Sequence, residues 1–248
     1  MFEAKVESSV LKDLVTVLMS ISDEVKLDCN DAGITVRAVD VAHVAMVDLT
    51  LRTESFVEYK TDSKGTSFAL DLTKFNEILK LTSPKDIVHI THKDGAGRLT
   101  VRFKNLRRYM ALLEDTSIAF RDVKIPEINL ATTAKIKCED LTQALKAAEA
   151  VSDHAVFRVK NGGMIVSAEG QTDSVEASYS KDRLVGLEGD GNVESSFSLD
   201  YLWKATKSVA SVASETALDL GTNYPIRMRF FFADSFGEAT YLIAPRIE

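Results

Sequence analysis

The chain has 248 residues, 45% hydrophobic and 27% charged, which is enough apolar material for well-formed cores and excludes the disordered and fibrous classes. Its formal net charge of −7 weighs against a nucleic-acid partner without excluding one, because phosphate binding depends on where Lys and Arg sit and not on their sum. Two cysteines, Cys29 and Cys138, are too few for a disulfide framework and read as buried thiols of a reducing compartment. No run approaches the ~20 apolar residues of a membrane span and the start MFEAKVESS is not a leader, so a soluble intracellular protein is expected.

In chain order, a short strand (Phe2, Ala4, Val6) precedes a helical stripe of Leu11, Leu14, Val15 and Leu18, with Ser8 or Ser9 available to cap it. Ser22 to Asp40 reads as a hairpin. His43 to Leu51 alternates as one strand, with Ala45, Val47, Leu49 and Leu51 on one face and Val44, Met46, Asp48 and Thr50 on the other. Strands at Phe56 to Tyr59 and Ser67 to Leu70 lead to Asp71, which caps a second helix carrying Leu72, Phe75, Ile78 and Leu79 and stopped by Ser83-Pro84. A hairpin of Asp86 to His92 and Arg98 to Phe103 turns at Asp94-Gly95-Ala96-Gly97, and Arg108 to Leu113 is one more strand.

The hairpin at Ser22 to Asp40 returns at Ser152 to Gly170, an offset of 152 − 22 = 130 residues. Val25, Leu27, Cys29, Gly33, Ile34, Val36 and Ala38 meet Ala155, Phe157, Val159, Gly163, Met164, Val166 and Ala168, so the chain reads as a duplicated domain. The second half repeats the order. A helix (Leu141, Ala144, Leu145, Ala148) precedes the copied hairpin, Ser174 to Ser180 alternates, and Phe197-Ser-Leu-Asp200 echoes Phe68-Ala-Leu-Asp71 before a helix with Leu202, Ala205 and Val209. Strands near 217–220, 226–232 and 239–243 close the chain. The expected class is α+β, two similar domains (1–114 and 131–248), each an antiparallel sheet with two helices. Between them 115–130 has no period and contains Pro126; it is either a plain surface linker or a functional segment.

Enzymatic readings have little to hold. His43, His89, His92 and His154 lack metal-ligand spacing, and there is no phosphate-cradling Gly-rich loop or nucleophile elbow, so neither a catalytic residue nor a metal or other cofactor is expected. What stands out is a lysine on every helix: Lys12, then Lys74 and Lys80, then Lys146, then Lys204 and Lys207, each away from the apolar stripe and diluted by Asp13, Glu77, Glu149 and Asp200. Each alone is an ordinary solvated charge; together they would concentrate positive potential on one side.

Four stretches carry a resemblance: DAGITVRAVDVAHVAMVDLTL (Asp31 to Leu51), LTKFNEILK (Leu72 to Lys80), KIPE (Lys124 to Glu127) and YLIAPRIE (Tyr241 to Glu248). They resemble the DNA sliding clamp family, proliferating cell nuclear antigen, in its archaeal form. The resemblance implies a homotrimeric ring with helices inside and sheets outside, encircling double-stranded DNA without reading sequence. It implies that Lys12, Lys74, Lys80, Lys146, Lys204 and Lys207 face DNA. Tyr109 and Met110 would meet Val175, Ala177 and Tyr179 of the next subunit. A short peptide motif of DNA polymerase, clamp loader, flap endonuclease or DNA ligase would bind Val39, His43, Val44, Met46, Val123, Ile125, Pro225, Leu242, Ala244 and Pro245. The alternative kept open is an oligomeric protein-interaction scaffold that does not encircle DNA.

Comparing the two hairpins, Val39 is apolar where its counterpart Glu169 is charged. The first copy is therefore expected to carry the partner site and the second is not.

Overall fold

The computed structural model describes residues 1–93, 95–114, 128, 130–189 and 191–247. The chain folds as two compact units. Among the described residues one takes 1–41, 47–114 and 231–239, and the other takes 42–46, 128, 130–230 and 240–247.

In the first unit, β1 (Phe2–Glu7), α1 (Ser8–Met19), β2 (Glu24–Asn30), β3 (Gly33–Val39), the inner part of β4 (Ala45–Arg52), β5 (Phe56–Thr61), β6 (Thr66–Asp71), α2 (Leu72–Leu79), β7 (Ile87–His92), β8 (Arg98–Phe103) and β9 (Leu106–Ala111) follow in order. One sheet runs β5-β1-β7-β8-β9, and a second part runs β6-β2-β3-β4. Every strand pair with a described register here is antiparallel. The α1 stripe of Leu11, Leu14, Val15 and Leu18 is buried, as is Phe75 of α2, and the two helices pack together. Ordering a surface helix against a sheet is driven mainly by this apolar face.

In the second unit, β10 (Thr132–Lys137), α3 (Cys138–Glu149), β11 (His154–Lys160), β12 (Gly163–Glu169), β13 (Ser174–Tyr179), β14 (Gly186–Glu188), β15 (Val193–Ser198), α4 (Leu199–Val212), β16 (Glu215–Leu220), β17 (Ile226–Phe232) and β18 (Gly237–Ile243) complete the chain; its last two strands fall partly in each unit. A four-stranded sheet runs β13-β12-β11-β15, and β14-β10-β16-β17 makes another part. The helices α3 and α4 pack on each other, with Leu141, Leu145, Leu202 and Val209 buried.

The duplicated hairpin is built as its matched positions require. In the first copy Leu27 faces Val36 and Cys29 faces Ile34; in the second Phe157 faces Val166 and Val159 faces Met164. A glycine opens the second strand each time because the next strand comes too close for a side chain. A Cβ on Gly33, which also has φ +133°, would stand 2.1 Å from the Leu51 carbonyl oxygen, and one on Gly163 would stand 2.8 Å from that of Tyr179. Cys29 and Cys138 are free and buried.

Several elements differ from their sequence reading. Neither Ser8 nor Ser9 caps α1: Glu7 is at that position without a side-chain bond, and the Ser8 hydroxyl is turned inward against Thr82 Oγ1. Asp71 does cap α2, accepting from the Lys74 amide at 3.0 Å, but Asp200 lies within the first turn of α4 and makes no such bond. The second helix ends at Leu79, four residues before Ser83. The fourth strand starts at Ala45 and not at His43, because His43 adopts φ 57° and breaks the extended chain. Two strands, β10 and β14, have no counterpart in the sequence reading, and Leu113 forms only an isolated bridge to Ala69. Asp94 of the expected turn and most of 115–130 lie outside the described residues.

Candidate functional site

A backbone bond joins two of the peptide-site candidates on the second unit. The Ala244 amide donates to the Val44 carbonyl over 2.8 Å, joining the segment just after β18 to the segment before β4. The next turn of chain is held twice, by the Arg246 amide donating to the Ser196 carbonyl at 2.7 Å and by Arg246 Nη1 on Asp153 Oδ2 at 2.9 Å. The carboxyl of Asp153 is pushed down to about 2, first by its bond from His154 and then by Arg246. Among these candidates His43 is exposed, and Val44, Ala244, Pro245 and Pro225 are half-buried. Met46 and Leu242 are more covered, at 9% and 5% exposure.

Tyr224 and Ile247, 53% and 78% exposed, flank Pro225 and Pro245 in the chain. Val39 is half-buried in the first unit. Val123 and Ile125 lie outside the described residues.

All six helix lysines avoid the core, but their ammonium groups differ. Lys74 pairs with Asp71 at 3.0 Å, Lys80 with Glu77 at 2.6 Å and Lys204 with Asp200 at 2.9 Å. Lys12 donates to the Thr82 carbonyl at 2.7 Å. Lys146 and Lys207 are exposed and have no carboxylate partner among the described residues. Beside Lys12 on α1, burial raises the Asp13 carboxyl to about 6.

The subunit-interface candidates sit on two sheet edges. The strand β9 ends the five-stranded sheet and β13 ends the four-stranded one. Tyr109 is 53% exposed under the Arg98 guanidinium, 4.7 Å from the ring centre, whereas Met110 is buried in its own unit. Val175, Ala177 and Tyr179 are half-buried on the inward side of β13, and Tyr179 donates its hydroxyl to the Asp140 carbonyl of α3 at 2.9 Å. Long edge strands without partners are unusual unless something covers them.

Two α+β halves, each with an open sheet edge and a pair of lysine-bearing helices, define the architecture of a DNA clamp protomer. The profile described as "Proliferating cell nuclear antigen, N-terminal domain" matches residues 1–130, and "Proliferating cell nuclear antigen, C-terminal domain" matches 124–246. The chain is 35% identical over 249 residues to the DNA polymerase sliding clamp of Methanocella arvoryzae, covering 100% of this chain and 99% of that one. It is 33% identical over 250 residues to that of Halobacterium salinarum, with the same coverage. Among solved structures, "C-terminal region of FEN-1 bound to A. fulgidus PCNA" superposes with a TM-score of 0.92 at 29% identity, covering 100% of this chain and 99% of that chain. The Thermococcus kodakaraensis PCNA crystal structure superposes with a TM-score of 0.89 at 27% identity, covering 99% and 100%. The chain therefore belongs to the proliferating cell nuclear antigen family, the DNA sliding clamps.

Proposed function

We propose that three copies close head to tail into a ring around duplex DNA and that the ring, without catalysis of its own, holds DNA-processing enzymes at their substrate. Family membership over the whole chain carries this reading. A heterologous contact that closes on itself makes a ring, and joining β9 of one copy to β13 of the next would remove both open edges. The two profile matches support a division into two domains, which we place at 1–114 and 131–248 on either side of a connector. The lysines of the four helices would touch phosphates without reading bases, as a sliding protein needs. Attachment by encirclement needs little affinity, which suits an acidic chain whose helix cations are half neutralised.

The surface around Val44, Met46, Leu242, Ala244 and Pro245, with Val39, Val123 and Ile125, would take short peptide motifs of a DNA polymerase and, as in the A. fulgidus complex, of FEN-1; clamp loader and ligase peptides would use the same place. The protein would act on chromosomal DNA inside the cell and need no metal or nucleotide itself.

The ion pairs on Lys74, Lys80 and Lys204 favour a second reading, a scaffold that does not encircle DNA. Native mass and retention on circular DNA separate the two. The clamp should have three times the chain mass, stay on closed circles after loading and leave a linearised template. A stable monomer, or retention that ignores DNA ends, would sink the ring; a trimer that never loads would favour the scaffold.

A further inference from the structure

The outward face of the five-stranded sheet carries an arrangement that a clamp's ring, hole and peptide pocket leave unused. Strand register places Lys5 opposite His89, His89 opposite Arg102, and Arg102 opposite Arg107. Four basic side chains therefore cross β1, β7, β8 and β9 in one row, spanning about 14 Å at the usual strand spacing. Like charges directly opposite one another destabilise a sheet. Within the row Arg102 and Arg107 are two guanidiniums set directly opposite one another, and that pair calls for something that balances it.

The acids of this face lie toward the other edge. Lys5 is paired with Glu58 at 2.8 Å, and His89 Nε2 donates to Glu3 Oε1 at 2.9 Å. Its Nδ1 accepts from the Arg102 guanidinium. On β8 and β9 no carboxylate shares the face, and Arg98, Arg102 and Arg107 have no carboxylate partner among the described residues. Two hollows flank the Arg102–Arg107 pair. One of about 500 Å³ is also walled by Ile87, Phe103 and Leu106, and the other, of about 430 Å³, holds Arg98 and Tyr109 together with Glu3, the partner of His89.

The geometry points to a binding site for an acidic peptide segment that also carries aliphatic side chains, supplied by a partner protein. Guanidinium forks match carboxylates, and Ile87 and Leu106, about 40% exposed, offer an apolar wall beside them. A single nucleic-acid strand fits less well, because it would want a free aromatic face to stack on and the Tyr109 ring lies under Arg98. Lys5, His89, Arg98 and Arg102 belong to inner strands, so their part of the face stays open when the β9 edge, which carries Arg107, is occupied.

The test measures anisotropy of a short fluorescein-labelled peptide of glutamates interrupted by two leucines, against an oligothymidylate of equal charge, on the full chain. Wild type should bind the peptide more tightly than the oligonucleotide. The double variant Arg102→Ser, Arg107→Ser should weaken the peptide at least tenfold while its melting temperature stays level or rises, because opposed like charges are gone. Arg98→Ser alone should weaken it by a smaller factor. Equal peptide affinity in wild type and variants would overturn the proposal, as would tighter binding of the oligonucleotide. A melting temperature that falls in the double variant would make the row structural and equally overturn it.

Discussion

Arg227 of β17 donates from Nη2 to the backbone carbonyl of Ile128 over 2.9 Å, so the chain entering the second half is tied to a strand it precedes by 99 residues. The guanidinium is itself backed by Asp219, whose buried carboxylate receives two bonds from Arg229 at 2.7 and 2.8 Å and one from Thr133 at 2.7 Å. Arg227→Ala should speed amide exchange around 128–131 and cost about 1 kcal/mol. Asp219→Ala, which leaves Thr133 and Arg229 without their acceptor, should cost more, ~2–4 kcal/mol by denaturant melt. If the two variants lose the same stability, Asp219 is not the anchor.

The neutralised lysines give a prediction in the direction of gain. Glu77→Gln with Asp200→Asn removes the partners of Lys80 and Lys204, exposed pairs worth little to the fold. DNA affinity at low salt should rise severalfold, with a steeper dependence on salt, and melting should hardly move. Lys146→Ala with Lys207→Ala should act oppositely. Anisotropy titrations at several salt concentrations read both, and an unchanged slope in either would remove those residues from the DNA-facing set.

Asp13 makes stability depend on pH. Its folded pKa of about 6 lies above the ordinary carboxyl value, so its contribution is complete below ~4 and is lost as pH rises through 6. Asp13→Asn should flatten the stability profile between pH 4 and 6. At pH 7 it should gain on the order of 1 kcal/mol, discounted because the group is only half-buried. Asp153 runs the other way: held down at about 2, it supports the fold above ~4 and that support fades toward pH 2. Acid titration of Asp153→Asn should lack this second loss.

Helix starts offer a matched comparison. Asp71→Ala removes the cap of α2 and should cost about 1 kcal/mol in thermal or denaturant melts. Ser9→Ala and Asp200→Ala should be close to neutral, since neither side chain caps a helix. A loss at Ser9 equal to that at Asp71 would contradict the cap assignment.

Much of the fold was legible because its signals are local. Alternation in Ala45, Val47, Leu49 and Leu51 and the matched Gly33 and Gly163 reflect burial on one face and close strand approach, which residue type reports directly. The strand β10 escaped because Thr132 and Thr133 precede an alternation shared with lysines, Ala134-Lys135-Ile136-Lys137, too short to separate from a loop. Capping by Ser8 failed as a reading because its hydroxyl had an inward partner, Thr82, far away in sequence. Candidate site residues such as Val44 and Met46 stood out as apolar on a polar face, but nothing in the sequence showed that the C-terminal segment lies beside them, as the Ala244 bond to Val44 does. The cationic row on the sheet was invisible in the sequence, since Lys5, His89, Arg102 and Arg107 are neighbours only through register.

Cys29 and Cys138 are buried, and burial raises both thiols, Cys138 to about 11 and Cys29 further, so almost no thiolate exists at neutral pH. They are the only cysteines in the chain. The wild-type protein is consequently a silent background for maleimide chemistry. One cysteine placed at Tyr109 and another at Glu176 would report, through a dye or a crosslink, on which edges meet, with no native thiol to remove first.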